Sequence, residues 1–363
     1  MPDKSYQEQV DQKRMLMIRS TLASLPRSCS DFIRSLLTTT SILTRLAYTI
    51  DLNTFFTFAD RELSIYADKN VSELTDEDIA HLKARDIEMY SEYLTLYYKE
   101  QEIDNSQRVL KNHSYGVMRK LSSLRSYFNY LFRTERISGN TAALVPLPKI
   151  HQKPILLLEP DEMHRLIHAV STGERLTQRQ QAYHKTVGVR DFAIIMLFLG
   201  TGIRVSECVG IDLQDFDFDS NALLVTRKGG NQVIVYYPEA TADAIKEYYG
   251  QRMEIKPLEG HENAFFLSTQ RRRITQRAVE NMVKKYAEIV VPLKKKISPH
   301  KLRSTYATNL YRETQDIYLV AEALGHSDIN TTRKHYASMS DRRMREAAAN
   351  TKLTESEEKS EEP

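Results

Sequence analysis

Two arginines and a histidine stand where an anion would be held. Arg204 lies in the run Thr201-Gly202-Ile203-Arg204-Val205-Ser206-Glu207, just after an apolar stretch that ends at Gly200. A buried helix followed by a glycine turn presents its next charged side chain to a surface or cleft. Arg204 is also three residues from Glu207, a spacing at which the two pair across one helical turn. His300 and Arg303 are three apart in Ser298-Pro299-His300-Lys301-Leu302-Arg303, so both project from one face of a helix's opening turns. The positive end and N–H groups of that helix favour a phosphate beside them.

Three further residues carry chemistry in other contexts. Lys228 sits at a hairpin tip between Arg227 and Gly229-Gly230, where a lysine is a solvated turn residue or a proton donor able to swing into a cleft. His326 follows Gly325, and Tyr336 comes ten residues later. Singly, each has an ordinary structural reading. A turn histidine is a surface group, a tyrosine beside an alanine is a core group, and among 20 tyrosines nothing physical singles out Tyr336.

Order and spacing are more informative. The succession TGIRVSE, RKGG in a hairpin, SPHKLRSTYAT, LGH and a tyrosine ten residues on resembles the tyrosine recombinase/integrase family, and most of all its Xer-type site-specific recombinases. The resemblance runs from about Leu156 to Met344, while Ser41–Tyr48 (SILTRLAY) and Leu124–Phe128 (LRSYF) resemble that family's helical core-binding domain. It implies that Tyr336 is the nucleophile, that Arg204, Arg303, His300 and His326 hold the scissile phosphate, that Lys228 is the hairpin lysine and that Glu207 supports Arg204. It also implies a double-stranded DNA partner with a specific site, and a tetramer on two such sites joined through the last helix, Ser340 to Ala349. The implied outcome is chromosome dimer resolution or DNA inversion. A mobile-element integrase, a type IB topoisomerase and a non-catalytic DNA-binding relative are the alternatives.

The implied reaction suits these side chains. Attack on a phosphodiester concentrates negative charge on two non-bridging oxygens, which two permanently charged guanidinium groups answer. A tyrosine with an ordinary pKa of about 10 needs a base or a positive field to attack. A phosphotyrosyl link at the 3′ end would keep the bond energy for resealing, so neither ATP, a metal nor another cofactor is expected. The absence of a GxxxxGK[ST] loop agrees with that.

The elements that must position these residues are mostly helical. From Tyr6 to about Pro148 apolar residues recur at three- and four-residue spacing with hardly any β-type alternation, so an all-helical first half is expected, with one helix over Ile87 to Tyr98. The segment Val117 to Phe132 is basic and aromatic together, and its Arg119, Lys120 and Arg125 are candidate DNA contacts. After the proline-rich linker 149–155 comes a helical domain with one β-hairpin, Ala222 to Arg227 and Gln232 to Tyr237, which a short piece at Ala264 to Leu267 would join. Ser298 is expected to cap the helix that Pro299 starts, and Gly325 to stop the helix that precedes it.

The expected fold is therefore mainly α with a small β-hairpin or sheet, in a two-domain C-shaped DNA clamp. Its parts are a helical extension at 1–27, a core-binding domain at 28–148, a catalytic domain at 156–350 and an acidic disordered tail at 351–363. The extension is too short for the arm-binding domain of phage-type integrases.

Composition excludes several other classes. With 41% hydrophobic and 27% charged residues, the chain is an ordinary globular protein and not a disordered or fibrous one. The net charge of +3 includes a tail from Asn350 with five Glu and two Lys, so the rest carries +6. Cys29 and Cys208 form no CxxC, which argues against a disulfide framework or thiolate metal site and points to a reducing cytoplasm. The longest apolar run, Phe192 to Leu199, is too short to span a bilayer.

Overall fold

Three- and four-residue apolar spacing without interior prolines gives helices wherever the sequence keeps it, and glycines or capping residues stop them. The computed structural model describes residues 6–66, 68–100, 107–149, 157–227, 230–292 and 297–325, with backbone alone at 98–100 and 107–110. The chain divides into two units, residues 1–153 and 154–363.

The first unit contains α1 (Tyr6–Leu22), α2 (Arg27–Ser35), α3 (Ile42–Glu62), α4 (Asp76–Ala80), α5 (Ala84–Tyr93) and α6 (Ser114–Arg133). Between α5 and α6 lies an antiparallel hairpin, β1 (Tyr97–Glu100) with β2 (Gln107–Leu110), pairing Tyr97 with Leu110. The hairpin corrects the expectation of an all-helical first half and of a helix running to Tyr98. Tyr97 and Tyr98 continue the apolar period of α5, so local pattern alone carries the helix too far, whereas the chain leaves it at Leu94. Aromatic rings fill this unit's core: Phe32 meets Tyr127 edge-on, and Phe55 meets Phe56 and Tyr90 in the same way. Such contacts add about 0.5–1.5 kcal/mol each beyond the area they bury.

The second unit is built on α8 (Gln178–Thr201), whose Ile194, Ile195, Leu197 and Phe198 are fully buried. Around it are α7 (Pro160–Thr172), α9 (Val205–Gly210), α10 (Glu239–Glu254), α11 (Gln276–Val290), α12 (Pro299–Thr314) and α13 (Ile317–Leu324). An antiparallel sheet of order β3-β4-β5 joins them, from Phe216–Asp217, Ala222–Thr226 and Gln232–Tyr236. The third strand is thus Phe216–Asp217, and Ala264 and Leu267 instead make isolated bridges to Asp212 and Arg273. The stretch is tied instead to residues 211–213, Phe265 N–H donating to the Ile211 carbonyl at 3.0 Å and Leu213 N–H to the Asn263 carbonyl at 2.8 Å, while Arg252 holds the Ala264 carbonyl. No helix among the described residues is long and apolar enough to cross a membrane.

Candidate active site

The position of Arg204 is set by the end of α8. Gly202 closes that helix in the left-handed region at φ 64°, its N–H donating to the Phe198 carbonyl at 3.0 Å. A Cβ there would overlap the ring of Tyr306, so the turn needs glycine for both its conformation and its space. Two residues on, Arg204 is the N-cap of α9. Its backbone N–H donates to Glu207 Oε2 and its Nη1 to Glu207 Oε1, both at 2.8 Å. Glu207 is buried, while the Arg204 side chain keeps 35% of its surface open. One carboxylate therefore fixes both ends of Arg204, and the ordinary pairing is also what aims the guanidinium.

Arg303, on α12, is buried at 5% exposure. Its Nη1 donates to the Gly202 carbonyl at 2.5 Å and its Nη2 to the Leu324 carbonyl. The α8–α9 turn and the last residue of α13 are thus tied to the same guanidinium. Burial, then the charge of Arg204, pushes Arg303 down to about 10, well below an ordinary arginine; Glu207 opposes this and Arg227 adds to it. Several positive charges crowd around Glu207, an arrangement that an incoming anion would relieve.

His300 is exposed on the opening turn of α12. Ser298 takes the N-cap position there, but its hydroxyl makes no capping bond, contrary to the sequence expectation. Lys228, His326 and Tyr336 lie outside the described residues, although Arg227 and Gly325 beside them do not. Arg227 is the residue sequence reading missed: its Nη2 donates to the Ala323 carbonyl at 2.9 Å and its Nη1 to the Glu322 carbonyl at 3.3 Å. Backbone acceptors leave no residue-type signature, so only its place beside the hairpin lysine hinted at it.

In the first unit the basic helix has partners of its own. The Asp51 carboxylate on α3 is fully buried and accepts from Arg119 at 2.5 Å, Ser123 at 2.7 Å and Lys120 at 3.1 Å. Lys120 is 6% exposed, whereas the Arg119 side chain keeps 50% of its surface. Arg125 donates to the carbonyls of Ala142 and Val145, fastening the segment after α6. Lys120 and Arg125 thus serve internal contacts, and the missed signal is positional, since Lys120 falls on the buried stripe of Val117, Leu121, Leu124 and Phe128.

A helical unit with a three-stranded sheet, in which arginines from a helix start, a helix interior and a strand end converge, defines a class of protein with a cationic cluster suited to an anion. Comparison with known proteins narrows the class. The model of the Phage integrase family matches residues 157–343. The chain is 36% identical over 231 residues to Tyrosine recombinase XerC of Thermodesulfovibrio yellowstonii, covering 62% of this chain and 73% of that one. It is 34% identical over 224 residues to Tyrosine recombinase XerC of Anoxybacillus flavithermus, covering 61% and 71%. Among solved structures, the Tn1549 transposon integrase in complex with transposon right end DNA superposes with a TM-score of 0.59 at 20% identity, covering 89% of this chain and 99% of that one. XerH site-specific recombinase bound to palindromic difH substrate gives 0.58 at 19%, covering 85% and 80%. The structural likeness bears on the fold alone. The chain belongs to the phage integrase family, the tyrosine recombinases, enzymes that break and rejoin DNA strands.

Proposed function

We propose that this recombinase cuts each DNA strand with Tyr336, with Arg204, Arg303, His300 and His326 around the scissile phosphate and Lys228 protonating the leaving oxygen. The observation that carries the reading is the convergence of Arg204 and Arg303 on the α8–α9 turn, one through Glu207 and the other through the Gly202 carbonyl. Tyr336 Oη passes its proton to His300 as it bonds to phosphorus and expels the 5′ oxygen, which takes a proton from Lys228 and leaves a 3′-phosphotyrosyl end. The 5′ hydroxyl of a second strand then attacks that link and frees the tyrosine. Two copies of one DNA site, held by four protomers in the cytoplasm, exchange strands in this way, resolving or inverting the DNA between them. Likeness to the XerC tyrosine recombinases favours this over a topoisomerase reading.

A DNA duplex nicked beside the cleavage site tests the chemistry, because the short fragment released on cutting diffuses away and traps the protein on DNA. The native chain is expected to form the covalent adduct and Tyr336→Phe to form none. An undiminished adduct in the variant refutes the assignment.

A further inference from the structure

Two guanidinium groups occupy three successive carbonyls at the end of α13. Arg227 takes those of Glu322 and Ala323, and Arg303 takes that of Leu324. The helix then stops at Gly325, in the left-handed region at φ 59°. These carbonyls belong to the last turn, where a helix runs out of its regular partners and its partial negative charge lies; that of Glu322 also accepts the Gly325 N–H at 2.8 Å. A cation on each is the arrangement that satisfies both. At its other end Arg227 is part of the β4–β5 hairpin: its N–H donates to the Asn231 carbonyl at 2.8 Å, and its own carbonyl accepts from Gly230 at 3.0 Å. A Cβ on Gly325 would overlap the Arg227 guanidinium, so the helix stop and the arginine are fitted to each other.

We infer that Arg227 is a positioning residue that fastens the end of β4 to the end of α13, so that Arg227 and Gly325, the chain neighbours of Lys228 and His326, keep a fixed separation. The inference rests on the functional reading above for what Lys228 and His326 do. Arg227 acts on the reaction through the hairpin lysine. When the Tyr336 Oη–phosphorus bond forms and the phosphorus–O5′ bond breaks, the departing oxygen needs the Lys228 proton within reach. A tip that drifts by about 1 Å loses roughly 10²-fold in rate. Lysine at 227 reaches one carbonyl and not two, and therefore restores the link only in part.

The test uses the full chain and nicked duplexes that differ in one atom, the bridging 5′ oxygen or sulfur at the scissile bond. A thiolate leaves without a proton, so cleavage of the sulfur substrate bypasses the acid. Arg227→Ala is expected to form adduct about 10²-fold more slowly than the native chain on oxygen and at a near-native rate on sulfur. Gly325→Ala, which displaces the same guanidinium from the opposite side, is expected to show the same rescue, and the double variant to be no slower than either single one. Arg227→Lys should fall between Arg227→Ala and native. Native rates for Arg227→Ala on oxygen overturn the inference, and so does a slow rate that sulfur leaves uncorrected, which would put Arg227 on the phosphate itself. Failure of the underlying reading gives a different result: no adduct from the native chain, or adduct surviving Tyr336→Phe.

Discussion

Arg303 is a charge placed at a cost. Its folded-state pKa of about 10 lies below that of an ordinary arginine, so the folded protein binds that proton less tightly than the unfolded chain does. The destabilisation is present in full at every pH below about 10 and is relieved only as pH rises from there, outside any working range. At neutral pH an anion is what offsets it. Millimolar sulfate or orthovanadate is expected to raise the melting temperature of the native chain beyond an ionic-strength-matched chloride control, and the rise should vanish in Arg204→Ala and Arg303→Ala. In the nicked-duplex assay the same two variants should lose about 3–4 kcal/mol of transition-state stabilisation while still retarding DNA in a gel. Full cleavage by either would remove the arginine pair from the reaction. These two arginines were legible in the sequence because side-chain type and spacing carry them. Arg227 was not, because what it holds is main chain, and Lys120 was taken for a surface charge because its partner Asp51 is 69 residues away.

Elements meet at these same residues, and their junctions are where stability and chemistry can be separated. Asp51 joins α3 to α6, and its loss strands Lys120 in the core. Asp51→Ala is expected to cost about 3–5 kcal/mol in urea unfolding, much of it returned by adding Lys120→Met, which removes the orphaned charge. A small effect of the single variant would show that Lys120 escapes to solvent. At the end of α8, Gly202→Ala places a Cβ at positive φ and against Tyr306, costing about 1–2 kcal/mol from the backbone alone. Because the Gly202 carbonyl also receives Arg303, that variant should lose more adduct formation than its stability loss explains, measured well below its melting temperature. The helices themselves were readable from periodicity: α13 runs over Ile317–Leu324 as its apolar spacing and Gly325 dictate. The β1–β2 hairpin was not, since two tyrosines that fit a helical period pair across strands instead.

Across the whole molecule, the buried core of the first unit lies within residues 18–145, and among the described residues the hydrogen bonds of the arginine site lie within residues 202–324. The two units are expected to melt as separate calorimetric transitions. Asp51→Ala should lower one of them and Gly202→Ala the other; a single transition moved by both variants would show the units to be energetically one. The boundary between the two units, at residues 153 and 154, falls inside the proline-rich stretch 149–155 that has no helical period. The packing inside each unit was not legible in the sequence, because it depends on contacts between residues far apart in the chain.

Those long separations carry a consequence for biosynthesis. Arg303 meets Gly202 across 101 residues, and Arg227 meets Glu322 across 95. A ribosome adding about 5–20 residues per second needs roughly 5–20 seconds between emitting the earlier partner of each contact and the later one. Through that interval the first unit is already complete in sequence and free to fold, while the arginine cluster cannot yet assemble. The cluster completes its described contacts only once α13 has been made. A truncated product ending before residue 317 would keep the Arg204–Glu207 and Arg303–Gly202 contacts but lose the α13 carbonyls that Arg227 and Arg303 hold.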